Sequence, residues 1–227
     1  MLLHVPQVLT MDELARARIW LDEADWADGR MTAGSQAGRV KNNLQLPENA
    51  PAARRLRELM LDALGRSALF FAAALPRKIY PPLFNCYTGA TNSFGNHVDN
   101  AVRTHAASGN HVRTDLSFTL FLAEPDEYAG GELVMEHGFG TEAVKLPAGD
   151  LVLYPSSSVH RVEPVTRGAR LACFSWLESM VRESERRRLL FDMDQAIAAL
   201  RAQAGESAEA VAFTSCYHNL LRMWAHS

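Results

Sequence analysis

His97, Asp99, His160 and Arg170 are the residues of this chain whose types, order and spacing could carry chemistry. His97 and Asp99 stand two apart. In extended backbone, positions i and i+2 point to one face, so an imidazole and a carboxylate can reach one ion. A distal imidazole at His160 would complete a set of two neutral nitrogens and one anionic oxygen. Gathered on one face of an octahedron, such a set leaves three positions open, which suits an Fe(II) that must hold a co-substrate and dioxygen together. A structural zinc site would instead be closed by four ligands, usually with cysteines at short spacing. Cys86, Cys173 and Cys216 show no such clustering.

The His-x-Asp pair alone carries little weight, because His97 would serve as well as a loop histidine and Asp99 as an Asx-turn residue. The downstream segment changes the balance. Residues 149–155 pattern as a turn and a strand, His160-Arg161-Val162-Glu163-Pro164-Val165 as a second strand, and Arg170-Leu171-Ala172-Cys173-Phe174-Ser175-Trp176 as a third. Between the last two, Thr166-Arg167-Gly168 breaks the pattern, and Gly168 suits the left-handed third place of a three-residue hairpin loop. The expected hairpin pairs Val165 with Ala169 and sets His160, Val162, Pro164, Arg170, Ala172 and Phe174 on one face. Arg170 then lies opposite Pro164, roughly 13 Å along the strand from His160. An arginine side chain plus a five-carbon dicarboxylate spans that gap. A guanidinium fork pairs bidentately with a carboxylate, so the far end of 2-oxoglutarate is the natural guest. Arg161 falls on the other face and Arg167 in the turn, which leaves Arg170 as the anchor.

Several longer stretches surround these residues: Phe84-Asn85-Cys86-Tyr87, Phe94-Gly95-Asn96-His97-Val98-Asp99-Asn100-Ala101, Arg113-Thr114-Asp115-Leu116-Ser117, Gly130-Gly131-Glu132-Leu133, residues 145–150 and on to Arg170, and Tyr217-His218-Asn219-Leu220-Leu221-Arg222. Together they resemble the bacterial PKHD-type hydroxylases, in the prolyl 4-hydroxylase branch of the Fe(II)/2-oxoglutarate dioxygenases, and the resemblance runs nearly end to end. It implies catalytic iron on His97, Asp99 and His160, 2-oxoglutarate on Arg170, Tyr87 reaching that co-substrate, and L-ascorbate as a candidate reductant. It further implies hydroxylation of an unactivated carbon, with 2-oxoglutarate decarboxylated to succinate. Cys86 and Met135-Glu136-His137-Gly138-Phe139 depart from the family pattern, which bears on substrate contacts and not on the metal.

The elements that must position these groups fit an α+β fold: a double-stranded β-helix, or jelly roll, over residues 78–178, N-terminal helical support over 1–77 packed on the sheet, and a small helical region over 179–227. Thr10 and Glu13 form a capping box ahead of Leu14, Ala17, Ile19, Trp20 and Leu21. Residues 42–46 read as a short strand or loop. Pro51 opens a long helix through Arg54, Leu56, Leu59, Met60 and Leu64 toward Phe71. Leu116, Phe118, Leu120 and Leu122 alternate over one strand, and several such strands closing on themselves make a jelly roll. Two helices are expected around 179–203 and 207–224, with Gly205 between them. Their charge run at 182–188 reads as a solvated face, and the pair is a candidate homodimer contact.

A fourth protein ligand would close a position the chemistry needs, so His4, His105, His111, His137 and His218 are assigned to surface, core or substrate pocket. Residues 100–114 read as a loop at the mouth of the site, placed as a lid would be. Arg103 and Arg113 flank it, as solvated charges or as contacts for an anionic substrate. Asp150 is expected to shape its turn, and Tyr87 and Trp176, taken by themselves, are core aromatics. Lysine and arginine total 23 against 26 acidic residues, a net charge of -3 with dispersed basic residues, which argues against a nucleic-acid platform. No membrane span or signal peptide is legible, and the unpatterned cysteines fit the cytoplasm. The expected partners are dioxygen and a small-molecule or peptide substrate of open identity. The competing reading is a jelly-roll sensor that binds metal and 2-oxoglutarate without turnover; a cupin-type enzyme would carry His-x-His where this chain has Asp99.

Overall fold

The computed structural model describes residues 2–32, 36–138 and 140–226, without the side chains of Met31, Thr32 and His137. Phe139 and the His137 side chain, both in the atypical stretch at 135–139, lie outside the described residues. The first strands are β1 (Leu3–Val5), β2 (Ala27–Asp28), β3 (Lys41–Asn42), β4 (Leu44–Gln45), β5 (Pro76–Ile79), β6 (Leu83–Thr88) and β7 (Ser93–His97). The middle of the chain adds β8 (Val102–Thr104), β9 (His111–Arg113), β10 (Leu116–Phe121), β11 (Ala129–Gly130), β12 (Leu133–His137) and β13 (Gly140–Val144). Last come β14 (Leu151–Pro155), β15 (His160–Val162), β16 (Val165–Arg167) and β17 (Ala169–Ser179).

Two antiparallel sheets face each other as a jelly roll. The major one runs β1-β14-β10-β17-β6-β4-β2 with β5 added beside β17, and the minor one runs β13-β12-β15-β7-β3. Alternation explains why the major sheet is buried on both sides. From β10, Leu116, Phe118 and Leu120 point to the helix-backed core with Leu151, Leu153 and Cys173, while Phe121 joins Tyr87, Val152, Leu133 and Val162 between the sheets.

Helices α1 (Met11–Asp22), α2 (Pro51–Arg66) and α3 (Ala68–Ala74) cover the outer face of the major sheet. Thr10 caps α1 through the expected box with Glu13, and Ala53, Leu56, Met60, Ala63 and Leu64 of α2 form a buried stripe at helical spacing. The single helix expected from Pro51 to Phe71 is two. Ser67 is extended and its hydroxyl accepts the Phe70 N–H, so it ends one helix and caps the next. At the C-terminus, α4 (Ser184–Ala204) and α5 (Ala208–Trp224) pack on each other, joined at Gly205 with φ +67°. The first of them starts later than the expected 179, because β17 continues to Ser179, whose hydroxyl donates to Ala74 O. Nor is the charge run wholly solvated: Arg187 is buried and donates to the carbonyls of Val181 and Arg182.

Two further expectations are corrected. The segment at 100–114 is not a plain loop, since β8 and β9 pair in it as a small hairpin. And β15 does not form a hairpin with the strand carrying Arg170. It lies in the minor sheet between β12 and β7, and β16 pairs with β11. The chain then enters β17 in the major sheet, where Arg170 stands opposite Tyr87 rather than Pro164. Pro164 cannot donate to a ladder, which interrupts the strand after Val162. Gly130, at φ +73°, brings its backbone so close to Pro164 that a Cβ there would lie 2.1 Å from the carbonyl oxygen. Gly168 does take the left-handed turn, at φ +74°. Arg170 therefore shares a cavity with His97 and His160 from across the sandwich.

Candidate active site

His97 ends β7 and His160 begins β15, and the two are direct partners across that ladder. Opposed residues share a face, so their rings meet with centroids 4.2 Å apart. Asp99 lies just past the end of β7, yet its carboxylate returns to the same side, 3.8 Å from His160 Nε2. One ligand atom from each of His97, Asp99 and His160 falls within 4.8 Å of the others. Both imidazoles have the same tether: His97 Nδ1 meets Gly95 O at 2.9 Å and His160 Nδ1 meets Ser158 O at 3.0 Å. A carbonyl only accepts, so each Nδ1 carries the proton and each Nε2 keeps its lone pair for an ion. Burial and the His160 ring push His97 below the ordinary histidine range, which favours the neutral, ligating form.

The carboxylate is held from the opposite sheet. Ser117 Oγ on β10 donates to Asp99 Oδ2 at 2.7 Å, which leaves Ser156 Oγ to donate to Ser117 at 2.6 Å. Phe94 stacks on His97 at 3.6 Å between centroids and fixes its plane.

Arg170 is 1% exposed, yet its Nε has no hydrogen-bond partner. Among the described residues no acidic side chain forms an ion pair with it; its guanidinium lies over the rings of Tyr87 and Phe121, at 5.3 and 5.2 Å. A buried cation without a counter-ion is costly, so this one suits an anion that arrives with a ligand. Gly131 makes room for it, since a Cβ there would sit 3.0 Å from Arg170 Cδ and 2.8 Å from Val165 Cγ2. Burial pushes the Tyr87 hydroxyl up to about 12, keeping it a donor. Tyr154, beside His160, is raised further for the same reason.

One cavity takes in all five of His97, Asp99, His160, Arg170 and Tyr87. Trp176, expected in the core, is buried but lines that cavity. Other groups stay outside. Arg161 pairs with Glu163, Arg167 reaches Asp126 O, and Arg113 is held by Asp115. Asp150 binds His4 and the Gln7 N–H, so it anchors the N-terminal strand as well as its turn. His105 bonds Ser108 and His111 bonds Thr104. Ser117, Ser156, Asn85 and Phe94 stand inside the stretches that carry the resemblance but have no role legible in the sequence, and Lys41 lies outside those stretches. The polar-apolar alternation of β10 was the one available signal, since it puts Ser117 opposite the core face.

The donor set fits Fe(II), and a buried guanidinium that meets no acidic side chain among the described residues fits a dicarboxylate. Residues 82–178 match the family model of the 2OG-Fe(II) oxygenase superfamily, and residues 185–226 that of the PKHD-type hydroxylase C-terminal domain. A PKHD-type hydroxylase of Variovorax paradoxus is 60% identical over 225 residues, covering 99% of each chain. Another, from Polaromonas sp., is 57% identical with the same coverage. The solved structure of SnoK, a non-heme alpha ketoglutarate dependent carbocyclase from nogalamycin biosynthesis, aligns with a TM-score of 0.56 at 16% identity, over 79% of this chain and 80% of that one. A prolyl hydroxylase from Trichoplax adhaerens, in complex with a hypoxia inducible factor peptide, aligns with a TM-score of 0.54 at 13% identity, over 83% and 86%. Identity this low speaks for a shared fold; the full-length identity to the first two relatives carries the family. The chain belongs to the PKHD-type hydroxylases, Fe(II)- and 2-oxoglutarate-dependent dioxygenases acting with dioxygen on a small-molecule or peptide substrate.

Proposed function

We propose that this chain hydroxylates an unactivated carbon of its substrate, with one oxygen atom going to that carbon and the other to succinate as 2-oxoglutarate loses carbon dioxide. The observation that supports it is one cavity holding three convergent ligand groups and a buried arginine that pairs with no carboxylate among the described residues. His97 and Asp99 with His160 would hold iron, and Arg170 the distal carboxylate of 2-oxoglutarate. When bound, the metal and co-substrate supply the oxygen-activating chemistry.

The protein's part is placement. The two Nδ1 tethers keep both imidazoles in the ligating tautomer, and Ser117 holds the Asp99 carboxylate in one orientation. Tyr87 donates from its neutral hydroxyl toward the carboxylate that Arg170 binds. Phe94, Phe174 and Trp176 wall the cavity with apolar surface and limit water. With dispersed charge, we assign the chain no nucleic-acid partner and the enzyme to the cytoplasm; among the described residues no helix is long and apolar enough to cross a membrane.

Anaerobic titration with Fe(II) and then 2-oxoglutarate, followed by the visible charge-transfer absorption, tests the reading. The absorption should appear in the unaltered protein, vanish in His97→Ala and Asp99→Ala, and need at least about tenfold more 2-oxoglutarate in Arg170→Ala. On admitting air with L-ascorbate, succinate should form. An undiminished absorption in either ligand variant overturns the metal assignment.

A further inference from the structure

The cavity runs along β17 from an inner half at the wholly buried Arg170 to an outer half at Phe174 and Trp176, which stand at alternate positions of the strand. This outer half carries two cations. Lys41, on β3, is only 6% exposed; its ammonium donates to Gln45 Oε1 at 2.8 Å and lies 5.6 and 5.9 Å from the rings of Phe94 and Phe174. Arg103, on the β8–β9 hairpin, holds its guanidinium 4.1 Å from the Trp176 ring centroid. Burial, and then the Arg103 charge, draw the Lys41 ammonium down to about 8, with Asp28 and Asp99 opposing. Between these cations and the inner half stands Asn85, 7% exposed, whose side-chain oxygen lacks a hydrogen-bond partner.

A buried ammonium and a guanidinium lining one end of a cavity set a positive potential there, and an anion entering it would be attracted by both charges. We infer that the outer half of the cavity recognises its substrate through an anionic oxygen group, in the simplest case a carboxylate, bound by Lys41 and Arg103, with Asn85 accepting an N–H or O–H of the same molecule nearer the iron. The body between those groups meets the Phe174 and Trp176 rings, so the substrate class is that of an acylated amino acid or a peptide end with a free carboxylate. This rests on the reading of the inner half as the iron and 2-oxoglutarate site.

The test uses protein loaded with Mn(II), with and without saturating 2-oxoglutarate, titrated calorimetrically with N-acetylphenylalanine, N-acetylleucine and the neutral amide of each. At least one acid should bind about tenfold or more tighter than its amide, and that preference should fall to about threefold or less in both Lys41→Met and Arg103→Gln. Equal binding of acids and amides, absence of binding by all four, or a preference that survives both substitutions overturns the inference. Binding of 2-oxoglutarate, measured alone, should be kept by Arg103→Gln, which reports that the fold is intact, and lost by Arg170→Ala. If the unaltered protein fails to bind 2-oxoglutarate, the functional reading falls, while the acid-over-amide preference measured without it still decides the anion site. Loss of 2-oxoglutarate binding in Lys41→Met but not in Arg170→Ala would exchange the two ends and overturn both.

Discussion

A serine hydroxyl reaching across from the other sheet orients the one anionic ligand of the proposed iron site. Ser117 donates to Asp99 and is itself held by Ser156, so the carboxylate is aimed before any ion arrives. Ser117→Ala removes that donor and should weaken Fe(II) binding about tenfold or more. Chelator competition measures it, and an unchanged affinity would show that Asp99 orients itself. Residue chemistry was legible from the sequence where the side chain is distinctive. His97, Asp99 and His160 point by type and order to a group that could hold a metal, and Arg170 to the proposed carboxylate anchor. Ser117, Lys41 and Asn85 are common residues, and only their neighbours in space give them a role.

The stretch from Val162 to Arg170 decides which sheet each half of the site belongs to. Pro164 ends the run in the minor sheet, β16 pairs with β11, and Gly168 turns the chain into β17. At φ +74°, with a would-be Cβ 2.1 Å from Glu127 O, Gly168 has no tolerable substitute. Gly168→Ala should cost about 1–3 kcal/mol in urea denaturation, and it should also weaken 2-oxoglutarate binding, because Arg170 follows two residues later. A loss under about 0.5 kcal/mol would mean that the turn relaxes freely. The left-handed glycine was readable from local pattern, but the three-residue loop drawn around it was not, since Thr166 and Arg167 belong to β16 and pair with β11. The partner strands were not, because a short alternating run fits a hairpin neighbour and a distant strand equally well.

At the scale of the whole molecule, the cavity lies between the sheets, its two histidines on the minor sheet and Arg170 on the major one. Ligands that join them should stabilise the folded chain by mass action. Mn(II) and 2-oxoglutarate, each at about a hundredfold its dissociation constant, should each contribute about 2.7 kcal/mol, or roughly 5–10 °C in thermal midpoint, reversed by EDTA. A midpoint indifferent to both would contradict a shared site. The sequence by itself determined the chemistry available and the local elements: three ligand types, one anchoring guanidinium, a capped first helix, alternating strands and a glycine turn. Each of these is set by side-chain identity or by interactions a few residues apart. Tertiary structure alone decided that His97 faces His160 across one ladder, that Arg170 reaches the cavity from the other sheet, and that Lys41 and Arg103 line the same cavity. Such pairings join residues tens of positions apart, and they depend on which long-range strand contacts bury the most apolar surface while leaving every buried backbone group paired.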